Sequence, residues 1–211
     1  MTVDIDGIRK RTWRYWYEDG LSEIALGVLY LAVGGLFLAD ALLPKGPGHV
    51  FLSTLGLPAV LIGGAWLGRR AVQAAKERLT YPRTGYVRYP RPGGRRRLLS
   101  GTVAGLISAL AVLLLRAAPS ARAWLPGVLG LVIAASYLYV GQRFGLGRFR
   151  ALAAFSAVAG VGASLAGLSM LEGSAAYFAL AGTALVAGGA VTLRRYLRQS
   201  QLQPIGVVDE P

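Results

Sequence analysis

The chain has 211 residues, of which 54% are hydrophobic, and its 23 Lys and Arg against 10 Asp and Glu give a net charge of +13. A mean hydropathy of +0.48 is too high for an ordinary soluble domain of this length. Cysteine is absent, which excludes a disulfide framework and any metal site built on thiolates.

Six apolar windows meet or approach the ~20 residues that a helix needs to cross a hydrocarbon layer about 30 Å thick. They do not alternate polar and apolar residues as the strands of a membrane barrel do. Only the first of them contains charged residues. The sequence therefore predicts an all-α, polytopic membrane protein with six transmembrane helices in three antiparallel hairpins. The windows are 21–43, 50–67, 98–115, 124–141, 151–171 and 173–193.

The cations that flank these windows are unevenly divided between the two sides. Four precede the first window, ten lie in the connection 68–97, three in 142–150 and three after 193, which places 20 on one side. Only Lys45, Arg116 and Arg122 fall on the other side. Lys and Arg in short loops favour the cytoplasmic side. We therefore expect both termini in the cytoplasm and the chain in a membrane, specifically the plasma (inner) membrane of a prokaryote.

The chain divides into three parts on this basis. Residues 1–20 form a cytoplasmic interfacial segment, residues 21–193 form the six-helix bundle, and residues 194–211 form a cytoplasmic tail. The basic connection 68–97 belongs to the bundle. Its first part, 69–79, is predicted to extend the second span as a helix. Three prolines and several glycines predict an extended stretch beyond it.

The segment before the first span is rich in aromatic residues. Tryptophan and tyrosine beside a span are typical of the membrane interface, and nearby cations suit an amphipathic anchor on the cytoplasmic leaflet. We predict such an anchor at Trp13, Tyr15, Trp16 and Tyr17.

Three acids follow this anchor: Glu18, Asp19 and Glu23. Beside an anionic leaflet they need compensation. They can cap the first span and complement its dipole, or pair with cations of the basic connection. A third alternative is a cytoplasmic acidic site that binds a cation or acts as a general base. Asp40 and Glu172 are expected at the opposite boundary.

Small residues predict close helix packing, because lipid gives helices no hydrophobic reason to associate. In the fifth span they recur at 153, 157, 160, 164 and 167, and in the sixth at 175, 179, 182 and 189. We therefore predict that these two spans pack tightly as an antiparallel pair. Pro58 is predicted to kink the second span.

The ten cations of the basic connection exceed what orientation requires, so we predict binding to anionic headgroups. The expected function is that of a non-catalytic accessory or small permease-like component that docks on anionic lipid or on a membrane or cytoplasmic protein partner. The alternatives are an enzyme acting on a lipid headgroup and an uncoupled transporter of small molecules or lipids. We expect no nucleic-acid partner, cofactor or catalytic residue. We also expect no metal site, because His49 is the only histidine and cysteine is absent. The predicted lipid- or partner-binding residues are Arg69, Arg70, Arg83, Arg88, Arg91, Arg95, Arg96 and Arg97.

Overall fold

The computed structural model of the chain describes residues 17–79 and 119–199. These two stretches are helical and contain no strand, in agreement with the predicted all-α class. The predicted third span, 98–115, lies outside the described residues.

The helices follow one another with short turns between them. The first two long helices are separated by a one-turn helix that continues through a π-helical turn. In chain order the elements are α1 (Leu21–Leu42), α2 (Pro47–Phe51), the π-helical turn (Leu52–Gly56), α3 (Leu57–Leu79), a 3-10 turn (Pro119–Trp124), α4 (Leu125–Phe144), α5 (Arg148–Leu165) and α6 (Met170–Gln199).

Four helical segments of the described residues are long and apolar enough to cross a membrane. Large apolar side chains on them point away from the bundle; Leu42 and Ile62, for example, are each 74% exposed. Such exposure suits contact with lipid, because contiguous apolar surface is unusual on a soluble monomer. These features are those of a helical membrane protein. The segments are Leu21–Leu42, Pro47–Leu79, Ala121–Phe144 and Met170–Gln199.

The helix in the predicted fifth window is shorter than expected. That window ran to residue 171, but α5 ends at Leu165. Arg148 and Arg150 lie in its first turn, so its apolar part covers 151–165, roughly 22 Å at 1.5 Å per residue. Gly167 then adopts φ +70°, a conformation that favours glycine. The turn therefore comes earlier than the sequence indicated, and α5 is not among the four segments that meet the length and hydropathy of a span.

The most extensive helix contact lies between α1 and α6, which run antiparallel. Small residues repeat every seven positions on both helices, so they meet at three successive levels. At the middle level, a Cβ on Gly27 would lie only 2.8 Å from the Gly182 carbonyl oxygen. The three levels are Gly20 with Gly189, Gly27 with Gly182, and Gly34 with Ala175.

The predicted tight pairing of the fifth and sixth spans is wrong in its partners. α5 packs most closely on α4, where a Cβ on Gly160 would lie 2.7 Å from the Gly130 Cα. α6 packs most closely on α1, and it contacts α5 less extensively. Stripes of small residues occur on α1, α5 and α6 alike, and such a stripe does not specify its partner.

The second span is irregular just before Pro58, where we predicted a kink. Proline lacks an N–H, and its ring displaces the carbonyl four residues earlier. That residue, Thr54, lies inside the π-helical turn. After this turn α3 continues to Leu79, which confirms the predicted helical extension over 69–79.

Candidate functional site

Four segments that the sequence assigned to the cytoplasmic side meet at one end of the bundle. They are the start of α1, the end of α3, the α4–α5 turn and the end of α6. Ion pairs join the first three, and the contact between Gly20 and Gly189 brings in the fourth. We call this the cationic end.

A buried ion pair joins the residue preceding α1 to the last part of α3. The Lys76 Nζ lies 2.5 Å from an Asp19 carboxylate oxygen, and the two side chains are each 1% exposed. The other carboxylate oxygen accepts a hydrogen bond from the Leu21 N–H at 3.2 Å. Asp19 therefore satisfies a backbone N–H at the start of α1 while it neutralises a buried ammonium group.

A second ion pair joins α1 to α5. The Arg148 Nη2 lies 2.7 Å from the Glu23 Oε1, and Glu23 is 4% exposed. The same guanidinium nitrogen donates a hydrogen bond to the Tyr17 carbonyl, and the geometry toward Glu23 Oε1 is not that of a hydrogen bond. Arg148 therefore contacts both the residue at which the described chain approaches α1, Tyr17, and the first turn of α1, at Glu23.

The Tyr17 ring is enclosed by aromatic side chains of the α4–α5 turn. Its centroid lies 5.6 Å from that of Phe149 in an edge-to-face arrangement and 5.9 Å from that of Phe144. Burial raises the pKa of the Tyr17 hydroxyl, which therefore stays neutral at physiological pH. Tyr17 was predicted as an interfacial anchor; in the structure it is half-buried against the bundle.

The surface of the cationic end carries far more cations than acids. Among the residues that the structure describes, eight arginines are exposed there, against two acids, Glu18 and Glu77. The guanidinium of Arg70 lies over the Trp66 ring at 3.9 Å, a pairing of cation and tryptophan that suits the membrane interface. The exposed arginines are Arg69, Arg70, Arg78, Arg143, Arg150, Arg194, Arg195 and Arg198.

The three acids of the predicted acidic site have different surroundings in the structure. Asp19 and Glu23 lie in separate ion pairs and Glu18 is exposed. Ion pairing was one of our alternatives, but the partner of Glu23 comes from the α4–α5 turn and not from the basic connection. Arg69 and Arg70 are exposed on α3. The other predicted binding and anchor residues lie outside the described residues: Trp13, Tyr15, Trp16, Arg83, Arg88, Arg91, Arg95, Arg96 and Arg97.

The Asp19–Lys76 pair agrees with the predicted pairing of the acids with the basic connection, although sequence analysis did not single out Lys76. It missed Arg148 as the partner of Glu23. One signal for Lys76 was available. Gly64 and Gly68 are small residues one helical turn apart, and two further steps of four reach Val72 and Lys76. This row faces α1, because Cβ atoms on Gly64 and Gly68 would contact Leu29 and Ala25.

The opposite end of the bundle has simpler polar contacts. The His49 Nε2 lies 3.4 Å from an Asp40 carboxylate oxygen. Glu172 and Ser169 form reciprocal hydrogen bonds at 3.1 and 3.3 Å, which is a capping box at the start of α6. Within residues 17–79 and 119–199, no three His, Asp or Glu side chains are grouped so that they could hold a metal ion.

Comparisons with protein-family models, with curated proteins and with solved structures find no match for this chain. A function must therefore be inferred from its own charges and contacts.

Proposed function

We propose that the chain is a non-catalytic, multi-pass protein of a prokaryotic plasma membrane, an accessory or small permease-like component whose cationic end faces the cytoplasm and binds anionic lipid headgroups. One observation carries the proposal: among the described residues of this end, Asp19 and Glu23 are buried in ion pairs, whereas eight arginines are exposed. Glu23 and Asp19 are at most 4% exposed.

The buried pairs leave a surface with an uncompensated positive charge. Within residues 17–79 and 119–199, this end has eight exposed arginines and two exposed acids. Each Lys or Arg near an anionic leaflet contributes about 1 kcal/mol of attraction. Guanidinium groups also bind phosphate through two parallel hydrogen bonds, which an ammonium group cannot do.

The positions of these arginines suit headgroups. Arg69 and Arg70 lie where the apolar stretch of α3 ends, beside the exposed ring of Trp66. Arg194, Arg195 and Arg198 continue α6 beyond its apolar part. Long cationic side chains at helix ends reach the polar layer while their stems stay in apolar surroundings.

The ion pairs formed by Asp19 and Glu23 are also relevant to the enzyme alternative. A general base must reach its substrate, and Asp19 and Glu23 are each enclosed in an ion pair. Among the three acids only Glu18 is exposed. This favours the non-catalytic alternative.

The test is the lipid retained by the purified protein. The full chain in mild detergent is mixed with equal amounts of an anionic and a zwitterionic phospholipid, and bound lipids are counted by native mass spectrometry. We expect the anionic lipid to be enriched. The variant Arg194→Gln, Arg195→Gln, Arg198→Gln should lower the enrichment by about fivefold for each arginine that contacts a headgroup.

Lys45→Gln is the matched control, because Lys45 is exposed at the opposite end of the bundle. It should retain lipid as the parent protein does. Retention of both lipids in equal amounts by the parent would reject lipid docking, and an enriched soluble protein in place of lipid would favour a protein partner.

A further inference from the structure

Polar side chains continue from the cationic end into the interior of the bundle. The Ser156 hydroxyl of α5 lies 2.8 Å from the Tyr177 hydroxyl of α6 and donates to the Gly130 carbonyl of α4 at 3.0 Å. Tyr177 and Ser156 are 0% and 1% exposed. Three helices thus share one buried hydrogen-bonded group.

Two more tyrosines connect this group to the cationic end. Tyr30 of α1 packs against the apolar cluster that contains Tyr177 and against the cluster that contains Tyr137 of α4. Leu26 and Tyr30 of α1 both pack against the cluster that contains Tyr137, and Leu26 lies one helical turn after Glu23. The Tyr137 hydroxyl is buried and lacks a hydrogen-bond partner of proper geometry among the described residues.

Glu23 forms the end of this series. The groups that face it are Arg148 from α5, Asp19 from the segment before α1, and Tyr137 from α4. Its Oε1 lies 2.7 Å from the Arg148 Nη2 in the ion pair. The carboxylate has further lone pairs that can accept a hydrogen bond from water or from a neighbouring hydroxyl.

Ser174 forms the other end. It is 0% exposed, and its hydroxyl has no hydrogen-bond partner in residues 17–79 or 119–199. It lies one helical turn from Tyr177 and four residues after the start of α6, or roughly 6 Å from that end. In the antiparallel pairing of α1 and α6, Ser174 lies at the same level as Gly35. Gly35 is twelve residues after Glu23, so Glu23 and Ser174 are separated by about 18 Å along the helix axis.

Unsatisfied polar groups are costly in a hydrocarbon layer, and water is the usual partner of such groups in a polar interior. We propose that this series of polar groups, from Glu23 through Tyr137, Tyr30 and Tyr177 to Ser174, with Ser156 hydrogen-bonded to Tyr177, is a proton path through the bundle with water between its members. The proposal does not depend on lipid docking.

Each transfer along the path conserves charge and atoms. A hydroxyl or water accepts a proton on a lone pair and releases its own proton to the next oxygen. One proton enters at one end, one leaves at the other, and a pH or electrical gradient across the membrane drives the flow. No oxidant, reductant or metal takes part.

Proton flux in vesicles tests the proposal. The full chain is reconstituted into liposomes that contain a pH-sensitive dye, and a pH gradient is imposed with valinomycin and potassium to balance charge. We expect the internal pH to change faster than in protein-free liposomes. Tyr137→Phe should slow the change about tenfold, because it removes one hydroxyl and keeps the ring. Ser156→Ala, which acts on a different helix, should slow it as well.

Tyr139→Phe is the control, since Tyr139 is two residues away on α4 and 67% exposed. It should conduct as the parent does. Circular dichroism and gel filtration establish that each variant is folded before it is measured. A parent flux no faster than that of empty liposomes would overturn the proposal, and so would equal fluxes for the parent and either folded hydroxyl variant.

Discussion

Asp19 at the cationic end makes two kinds of contact through its carboxylate. Asp19 accepts a hydrogen bond from the first residue of α1 and at the same time neutralises Lys76 of α3. Because both charged groups are removed from solvent, the pair contributes little net free energy, yet loss of one partner is costly. The contact therefore specifies how α3 packs on α1.

Lys76→Met should destabilise the protein strongly, since it removes the cation that faces a buried carboxylate. We expect the free energy of unfolding to fall by about 3 kcal/mol, measured by titrating the purified protein from mild detergent into sodium dodecyl sulfate and following helicity. Adding Asp19→Asn to this variant should restore part of the loss.

Arg78→Ala is the control for this change, because Arg78 lies two residues away on the same helix and is exposed. Its effect should stay within about 0.5 kcal/mol. Equal losses for Lys76→Met and Arg78→Ala would show that the buried pair does not stabilise α3.

At the level of helices, contacts between glycines determine which neighbours meet. α1 and α6 approach so closely that carbonyl oxygens occupy the space where side chains would stand. Of the five spans predicted within the described residues, four lie in helices long and apolar enough to cross a membrane, and the one at 151–171 does not. The helical extension of α3 was also predicted correctly. The sequence did not predict which helices would pack together. The rows of small residues on α1, α5 and α6 are alike, and their pairing depends on how the helices are arranged in three dimensions.

Gly27→Ala should weaken the α1–α6 contact. The added methyl would lie 2.8 Å from both the Gly182 carbonyl oxygen and a Val186 methyl group, so the helices must separate. We expect a loss of about 1–3 kcal/mol in the same dodecyl sulfate titration.

Gly35→Ala on the same helix provides the comparison, since no atom lies within 4 Å of its Cβ position. Alanine favours helix over glycine, so this variant should be as stable as the parent or slightly more so. A larger loss for Gly35→Ala than for Gly27→Ala would contradict the described packing.

Among the described residues, most of the exposed cations lie at one end of the bundle. The four cytoplasmic segments predicted by counting Lys and Arg meet at one end among the described residues, and Asp40, His49 and Glu172 lie at the other. Counting charges could identify this end. It could not identify Lys76 and Arg148 as inward-facing, because the direction of a side chain depends on how its helix is rotated against its neighbours.

We expect the chain to cross the membrane with its cationic end in the cytoplasm, and labelling of single cysteines tests this orientation. The chain contains no cysteine, so single cysteines can be introduced without background. Lys45→Cys and Gln199→Cys are both at exposed positions, at opposite ends of the bundle. In intact cells, a membrane-impermeant maleimide should label Lys45→Cys, whereas Gln199→Cys should react only after lysis. Labelling of both variants in intact cells, or of Gln199→Cys alone, would contradict the account.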